Sequence, residues 1–158
     1  MNIVLHEPQI PANTGNIART CVATGASLHL IRPLGFHTDE KTLKRAGLDY
    51  WQYLNIYYYD DFDDFLQKNE NPQVFMIETG GSKLYSNIKY PENPFVMFGK
   101  ETSGIPKDIL KKYEENILEI PMPGAVRSLN LSNAVAIVVY EILRQHRNYY
   151  TWISNIES

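Results

Sequence analysis

Six short apolar runs limit what this chain can fold into. They read NIVL (2–5), SLHLI (27–31), LNIYYY (54–59), QVFMI (73–77), FVMFG (95–99) and ILEI (117–120). None alternates cleanly between apolar and polar residues, as a strand with one wet face would. Strands of this kind need cover on both faces, and segments of helical character follow them. The pattern predicts an α/β fold, a mostly parallel six-stranded sheet flanked by helices.

The segments between the runs carry helix signals. After the prolines at 8 and 11, Asn13 or Thr14 is placed to cap a helix that reaches about Thr24 and stops at Gly25. A short basic helix is expected over residues 41–46, ended by Gly47. The acidic stretch DDFDD (60–64) suits a helix N-terminus, where carboxylates meet the positive end of the dipole. The last helix is expected over residues 130–147. With 158 residues, 44% of them hydrophobic, the chain can bury one proper core, and a single domain over 1–158 is expected.

Composition removes several functions. No apolar run approaches the ~20 residues that cross a bilayer, and MNIVLHEPQIPANTGN lacks the basic start and long apolar stretch of a secretory signal. Cys21 is the only cysteine, so no internal disulfide forms and a cytoplasmic setting is expected. There is no G-x-x-x-x-G-K-[ST] loop, no G-x-G-x-x-G after the first run and no G-x-S-x-G elbow. His6, His29, His37 and His146 show no metal-ligand spacing, so no metal is expected. The net charge of −3 argues mildly against a nucleic-acid partner, which usually leaves a basic footprint, but a local basic patch is compatible with it.

Three loop segments carry hydrogen-bonding groups that a plain connector does not need. In PANTGNIART (11–20), Ile17, Ala18, Cys21 and Val22 form an apolar stripe, Arg19 points away from it, and Asn13, Gly15 and Asn16 sit at the helix mouth. A cap and a surface arginine explain that segment equally well. In FGKETSGIP (98–106), Gly99 follows a strand and permits close approach of a ligand, Glu101 can tie the loop down by accepting backbone N–H bonds, and Gly104 and Pro106 shape the exit. A simple turn would also use those glycines. In IPMPGAVRSLNLSNAVAIVVYE (120–141), two prolines keep backbone groups out of any ladder, and Arg127, Ser128 and Asn130 precede a helix apolar nearly all round. Such a helix suits a sheet on one side and a second subunit on the other. Ser128 or Asn130 as a mere cap is the plainer reading of its start.

Taken together and in this order, NTGNIAR, FGKETSGIP and the 120–141 segment resemble the three motifs of the SPOUT RNA 2′-O-ribose methyltransferases. The short length, the opening NIVLHEPQIPANTGN and KTLKRAGLDYW (41–51) are similar to the TrmL subgroup, which methylates the wobble ribose of certain leucine tRNAs.

The resemblance implies a C-terminal deep trefoil knot, S-adenosylmethionine bent among the knotted loops, a homodimer, and the anticodon stem-loop of tRNA as partner. By position it implies donor contacts from Ile77, Glu78, Thr79, Gly99, Gly104, Ile120, Met122, Ser128 and Leu129, with Tyr140 near the donor and the dimer contact. Asn16, Arg19, Glu101, Arg127, Ser128 and Asn130 would form the reacting region. Lys41, Lys44 and Arg45 fall at i, i+3 and i+4, one helix face. With Arg19, Lys100, Lys107 and Arg127 they would give RNA phosphates a basic patch, although ordinary solvation also explains a lysine face. The rival expectations are a SPOUT enzyme for another tRNA position or ribosomal RNA, and a non-catalytic RNA-binding module.

Overall fold

The computed structural model describes residues 1–36 and 51–146. The basic helix expected over 41–46, with Lys41, Lys44 and Arg45, and the aromatic tail lie outside the described residues. The strands are β1 (Asn2–His6), β2 (Ser27–Ile31), β3 (Ile56–Tyr59), β4 (Val74–Ile77), β5 (Lys83–Leu84), β6 (Phe95–Phe98) and β7 (Ile117–Glu119). They form one sheet in the order β3-β2-β1-β6-β4-β7-β5, and every pairing is parallel.

All six apolar runs are strands, but the expected six-stranded sheet has seven. The extra strand, β5, is two exposed residues with no apolar run to announce it. It pairs only with β7, and just beyond it the Tyr85 N–H reaches the Glu119 carbonyl at 3.0 Å.

The lack of alternation has a direct cause: successive residues enter two different cores. Ile3, Leu5, Leu28, Leu30, Phe75, Ile77, Val96 and Phe98 pack on one face, with Ile17, Ala18 and Cys21 of α1 (Pro11–Thr24). The last helix completes this layer with Val135, Val138, Val139 and Ile142. Val4, Ile31, Val74, Met76 and Met97 pack on the other face, against Phe65 of α2 (Phe62–Lys68) and Ile109 of α3 (Lys107–Lys112). Each such side chain contributes about 1.5–3 kcal/mol by leaving water, so both faces are committed. Cys21 is fully buried, and burial pushes its thiol up to about 12.

Helix ends follow local chemistry where the cap is local. The Asp61 carboxylate accepts from the Asp64 N–H at 2.8 Å and starts α2, as the acidic stretch predicts. Gly25 ends α1 in the left-handed conformation (φ 69°), as expected. The start of α1 differs from expectation: the helix begins at Pro11, not at Asn13 or Thr14. Proline suits the first helical position, where its missing N–H is not needed. Helix α3, unexpected from the sequence, follows Pro106. The last helix, α4 (Leu131–Gln145), lies within its expected span.

Because the sheet is parallel, the C-terminal ends of its strands share one edge. Adjacent strands β1, β6, β4 and β7 therefore deliver the segments after His6, Phe98, Ile77 and Glu119 to one place. Open parallel sheets bind ligands at that edge.

Candidate active site

A cavity of about 550 Å³ opens at this edge, within the roughly 300–1,000 Å³ common for small-molecule sites. Ile77, Glu78 and Thr79 after β4 line it, as do residues 98–104 after β6 and Ile120, Met122 and residues 127–131 after β7. Ile10 and Asn13 from the start of α1 and Ala134 of α4 close it. The three loop segments singled out in the sequence thus converge. Ile77, Ile120, Met122 and Leu129 supply apolar wall, and residues 121–130 belong to no helix or strand. That irregular backbone suits the edge of a flat heterocycle.

Asn13 ties the segments together. Its side-chain Nδ2 donates to Glu101 Oε1 at 3.0 Å, and its Oδ1 accepts from Asn130 Nδ2 at 2.9 Å. The Glu101 carboxylate also accepts from the Gln9 N–H (2.8 Å) and the Ile10 N–H (3.1 Å), the start of α1. Burial alone would push this carboxyl up, but the hydrogen bonds from Asn13, Gln9 and Ile10 outweigh it and hold it below the usual range. Asn130 in turn caps α4: its Oδ1 accepts from the Ser132 N–H at 2.9 Å and the Asn133 N–H at 3.4 Å.

The glycines serve the chain itself. Gly99 was expected to make room for a ligand, yet a Cβ there would run into the backbone of Gly104 and Ile105. Gly104 has φ +68°, and a Cβ on it would strike the Glu78 carboxylate. That carboxylate accepts from the Ile105 N–H at 2.9 Å and the Thr79 N–H at 3.0 Å, joining the loops after β4 and β6. Both glycines still line the cavity.

Ile77, Glu78, Thr79, Gly99, Gly104, Ile120, Met122, Ser128 and Leu129 all line the cavity. So do Glu101, Arg127, Asn130 and Lys100. Arg19 and Asn16 do not; both lie on the exposed face of α1, away from its buried stripe. Tyr140 does not line it either. It is 52% exposed beside Ile137, on the side of α4 turned away from Val135, Val138, Val139 and Ile142. The cavity meets only the first turn of α4, at Leu131 and Ala134, two turns short of Tyr140.

Asn13 is the site residue the sequence reading undervalued. Taking Pro11 as the first helical residue would have placed Asn13 in the first turn, facing the mouth. Among the described residues no three of His, Cys, Asp and Glu converge to hold a metal ion, and no helix is long and apolar enough to cross a membrane.

Known proteins resemble this chain in sequence and fold. The model of the SpoU rRNA Methylase family matches residues 1–140. A Geobacillus stearothermophilus protein, provisionally named a tRNA (cytidine(34)-2′-O)-methyltransferase, is 53% identical over 92% of this chain and 94% of its own. The tRNA (cytidine(34)-2′-O)-methyltransferase of Escherichia coli K12 is 48% identical over 92% of this chain and 93% of its own. A structure solved to explain 2′-OH methylation of C/U34 on tRNA superposes with a TM-score of 0.85 and 43% identity, covering 91% of this chain and 94% of that one. An AdoMet-bound rRNA methyltransferase from Sinorhizobium meliloti gives a TM-score of 0.80 at 28% identity, covering 92% of this chain and 56% of that one.

Proposed function

The chain belongs to the SpoU rRNA Methylase family, and from that premise we propose that it is an S-adenosylmethionine-dependent methyltransferase of the 2′-oxygen at nucleotide 34, the wobble position, of leucine tRNAs. The observation that carries the reading is the meeting of three distant segments around one 550 Å³ cavity, joined through the Asn13 amide. The relatives act, by name, on cytidine 34 of tRNA, and an AdoMet-bound neighbour supports the donor. The choice of leucine tRNAs, recognition of the anticodon stem-loop and a cytoplasmic setting belong to the proposal. So do the deep trefoil knot and a single catalytic domain over 1–158. Support for the knot comes from the family match; the close backbone contacts at Gly99 and at Gly81, whose Cβ would lie 2.9 Å from the Leu118 carbonyl carbon, accord with it.

The donor, when bound, supplies a methyl group made electrophilic by its positive sulfur. The chain does the rest. Ile77, Ile120, Met122 and Leu129 offer apolar surface for the adenine, and Glu78, Thr79 and Ser128 offer polar partners on the same wall. Holding the reacting atoms in line supplies much of the barrier reduction. As the ribose hydroxyl loses its proton, negative charge grows on its oxygen, and a guanidinium stabilises it. Arg127, which lies on the cavity wall, is assigned this task. Arg19, on the exposed face of its own subunit, is assigned to the cavity of a second copy, which makes the homodimer the catalytic unit. Both arginines are assigned to orientation and charge stabilisation rather than to proton removal. Asn16, one helical turn before Arg19, joins it in contacting the RNA.

Incubation with labelled S-adenosylmethionine and total tRNA, followed by mapping of ribose methylation, tests the reading. Label at nucleotide 34 of leucine tRNAs is expected. Label at another position or in ribosomal RNA would redirect the substrate, and donor binding without transfer would leave a binding module. Arg19→Ala is expected to hold donor affinity within about twofold while turnover falls about 100-fold or more; a large loss of donor binding would refute its assignment.

A further inference from the structure

One residue of the cavity wall, Lys100, forms an ion pair outside the Asn13 network. Lys100 Nζ lies 2.6 Å from Glu7 Oε2, with the two side chains 27% and 24% exposed. The other lysine and arginine pairs among the described residues leave the cation about half exposed or more. The pairing follows from sheet register. Leu5 of β1 is opposite Phe98 of β6, and Glu7 and Lys100 each stand two residues further on.

Both backbones are pinned. The Glu7 N–H donates to the Ile31 carbonyl at 2.9 Å, and the Lys100 carbonyl accepts from the Gly104 N–H at 2.9 Å. Glu7 adopts φ 51°, a left-handed conformation that costs energy for a residue with a Cβ. His6 Nδ1 stands 3.8 Å from the other Glu7 oxygen, too far for a hydrogen bond. Burial favours the neutral imidazole, so the charge of Glu7 is answered by Lys100.

We propose that Glu7 is a positioning residue that fixes the Lys100 ammonium beside the cavity as a clamp for a backbone phosphate of the bound RNA. The inference rests on the RNA-methylating reading above. An ammonium carries three N–H donors, and Glu7 engages one of them. Thr102 and Ser103 line the same wall while exposed, so this side of the cavity is reachable by a polymer. A lysine left unanswered there would repel a donor that is itself cationic. Paired with Glu7 its charge is balanced and its nitrogen is kept in place.

A double-mutant cycle over Glu7→Gln, Lys100→Met and the pair tests this. The readouts are affinity for a leucine tRNA anticodon stem-loop, donor affinity by calorimetry, and methyl transfer. Lys100→Met is expected to weaken RNA binding about 5–10-fold and to lower the salt slope by about one. Glu7→Gln is expected to weaken RNA binding about 3–5-fold, with donor affinity unchanged and no further loss once Lys100 is gone. Glu7→Asp, which keeps the charge on a shorter arm, is expected to fall between wild type and Glu7→Gln and serves if the latter unfolds. An undiminished Glu7→Gln effect in the Lys100→Met background would overturn the proposal, as would an effect on donor affinity alone. Wild-type protein that binds the stem-loop without methylating tRNA would sink the catalytic reading and leave this coupling measurable. No RNA binding at all would sink both.

Discussion

Helices α1 and α4 lie against the same face of the sheet and both begin at the cavity, yet their first turns are held in opposite ways. The last helix caps itself, with Asn130 Oδ1 accepting from the Ser132 and Asn133 N–H groups. At the first helix the N-cap residue is Ile10, which has no side-chain acceptor. The N–H groups of Ile10 and of Gln9 just before it are met instead by Glu101, 91 and 92 residues further along the chain. A self-capped start is complete as soon as its own turn forms. A start capped from another loop is complete only when the site is assembled, so the geometry of α1 reports whether the cavity is built.

The sharpest way to break this contrast is at the amide that joins the two starts. Asn13→Asp would replace the donor facing Glu101 with a second carboxylate at a position 6% exposed. Two carboxylates at hydrogen-bond distance repel each other when both are ionised. We expect about 3 kcal/mol of destabilisation at pH 7 in urea unfolding. Part of it should return near pH 4, where the pair shares a proton. Unchanged stability would mean that the Asn13 network does not hold the site together.

Next in size is the borrowed cap itself. Glu101→Gln turns one oxygen into a donor facing another donor, and about 2 kcal/mol should be lost. The sign of the pH dependence follows from the lowered carboxyl. In wild type the stabilisation by Glu101 is fully present above its ordinary value of 4.5. It is lost as pH falls from there through the lower folded value, because the unfolded chain binds the proton first. Melting curves between pH 6 and 3 should therefore fall less steeply for Glu101→Gln than for wild type, the reverse of the Asn13→Asp trend. Parallel curves would show that the carboxylate is not held by these bonds.

The same contrast marks what the sequence reveals. Six strands were readable because successive residues such as Ile3, Val4 and Leu5 enter two cores and must all be apolar. Lys83–Leu84 escaped because an exposed two-residue edge strand needs no such pattern. The stop of α1 was readable in Gly25, and its start was misplaced because the group that caps it sits in another motif. The motif residues foretold most of the cavity wall. Only the coordinates showed that Gly99 yields to a neighbouring backbone, and that Arg19, Asn16 and Tyr140 stand outside the cavity wall.

The smallest expected effect separates the two duties of Asn130, a cap for its own helix and a tie to the other. Asn130→Ala removes both and should cost about 1–2 kcal/mol. Asn130→Ser keeps a capping oxygen for the Ser132 and Asn133 N–H groups but cannot donate to Asn13 Oδ1, 2.9 Å away in wild type. Its stability loss should be only about 0.5–1 kcal/mol, because serine caps nearly as well as asparagine. Methyl transfer, if it depends on the tie, should fall as far in Asn130→Ser as in Asn130→Ala. Comparing unfolding midpoints with turnover in the two variants therefore distinguishes a helix cap from a link between motifs. Full activity in Asn130→Ser would make the Asn13–Asn130 bond dispensable and leave α4 independent of α1, as its local cap alone suggests.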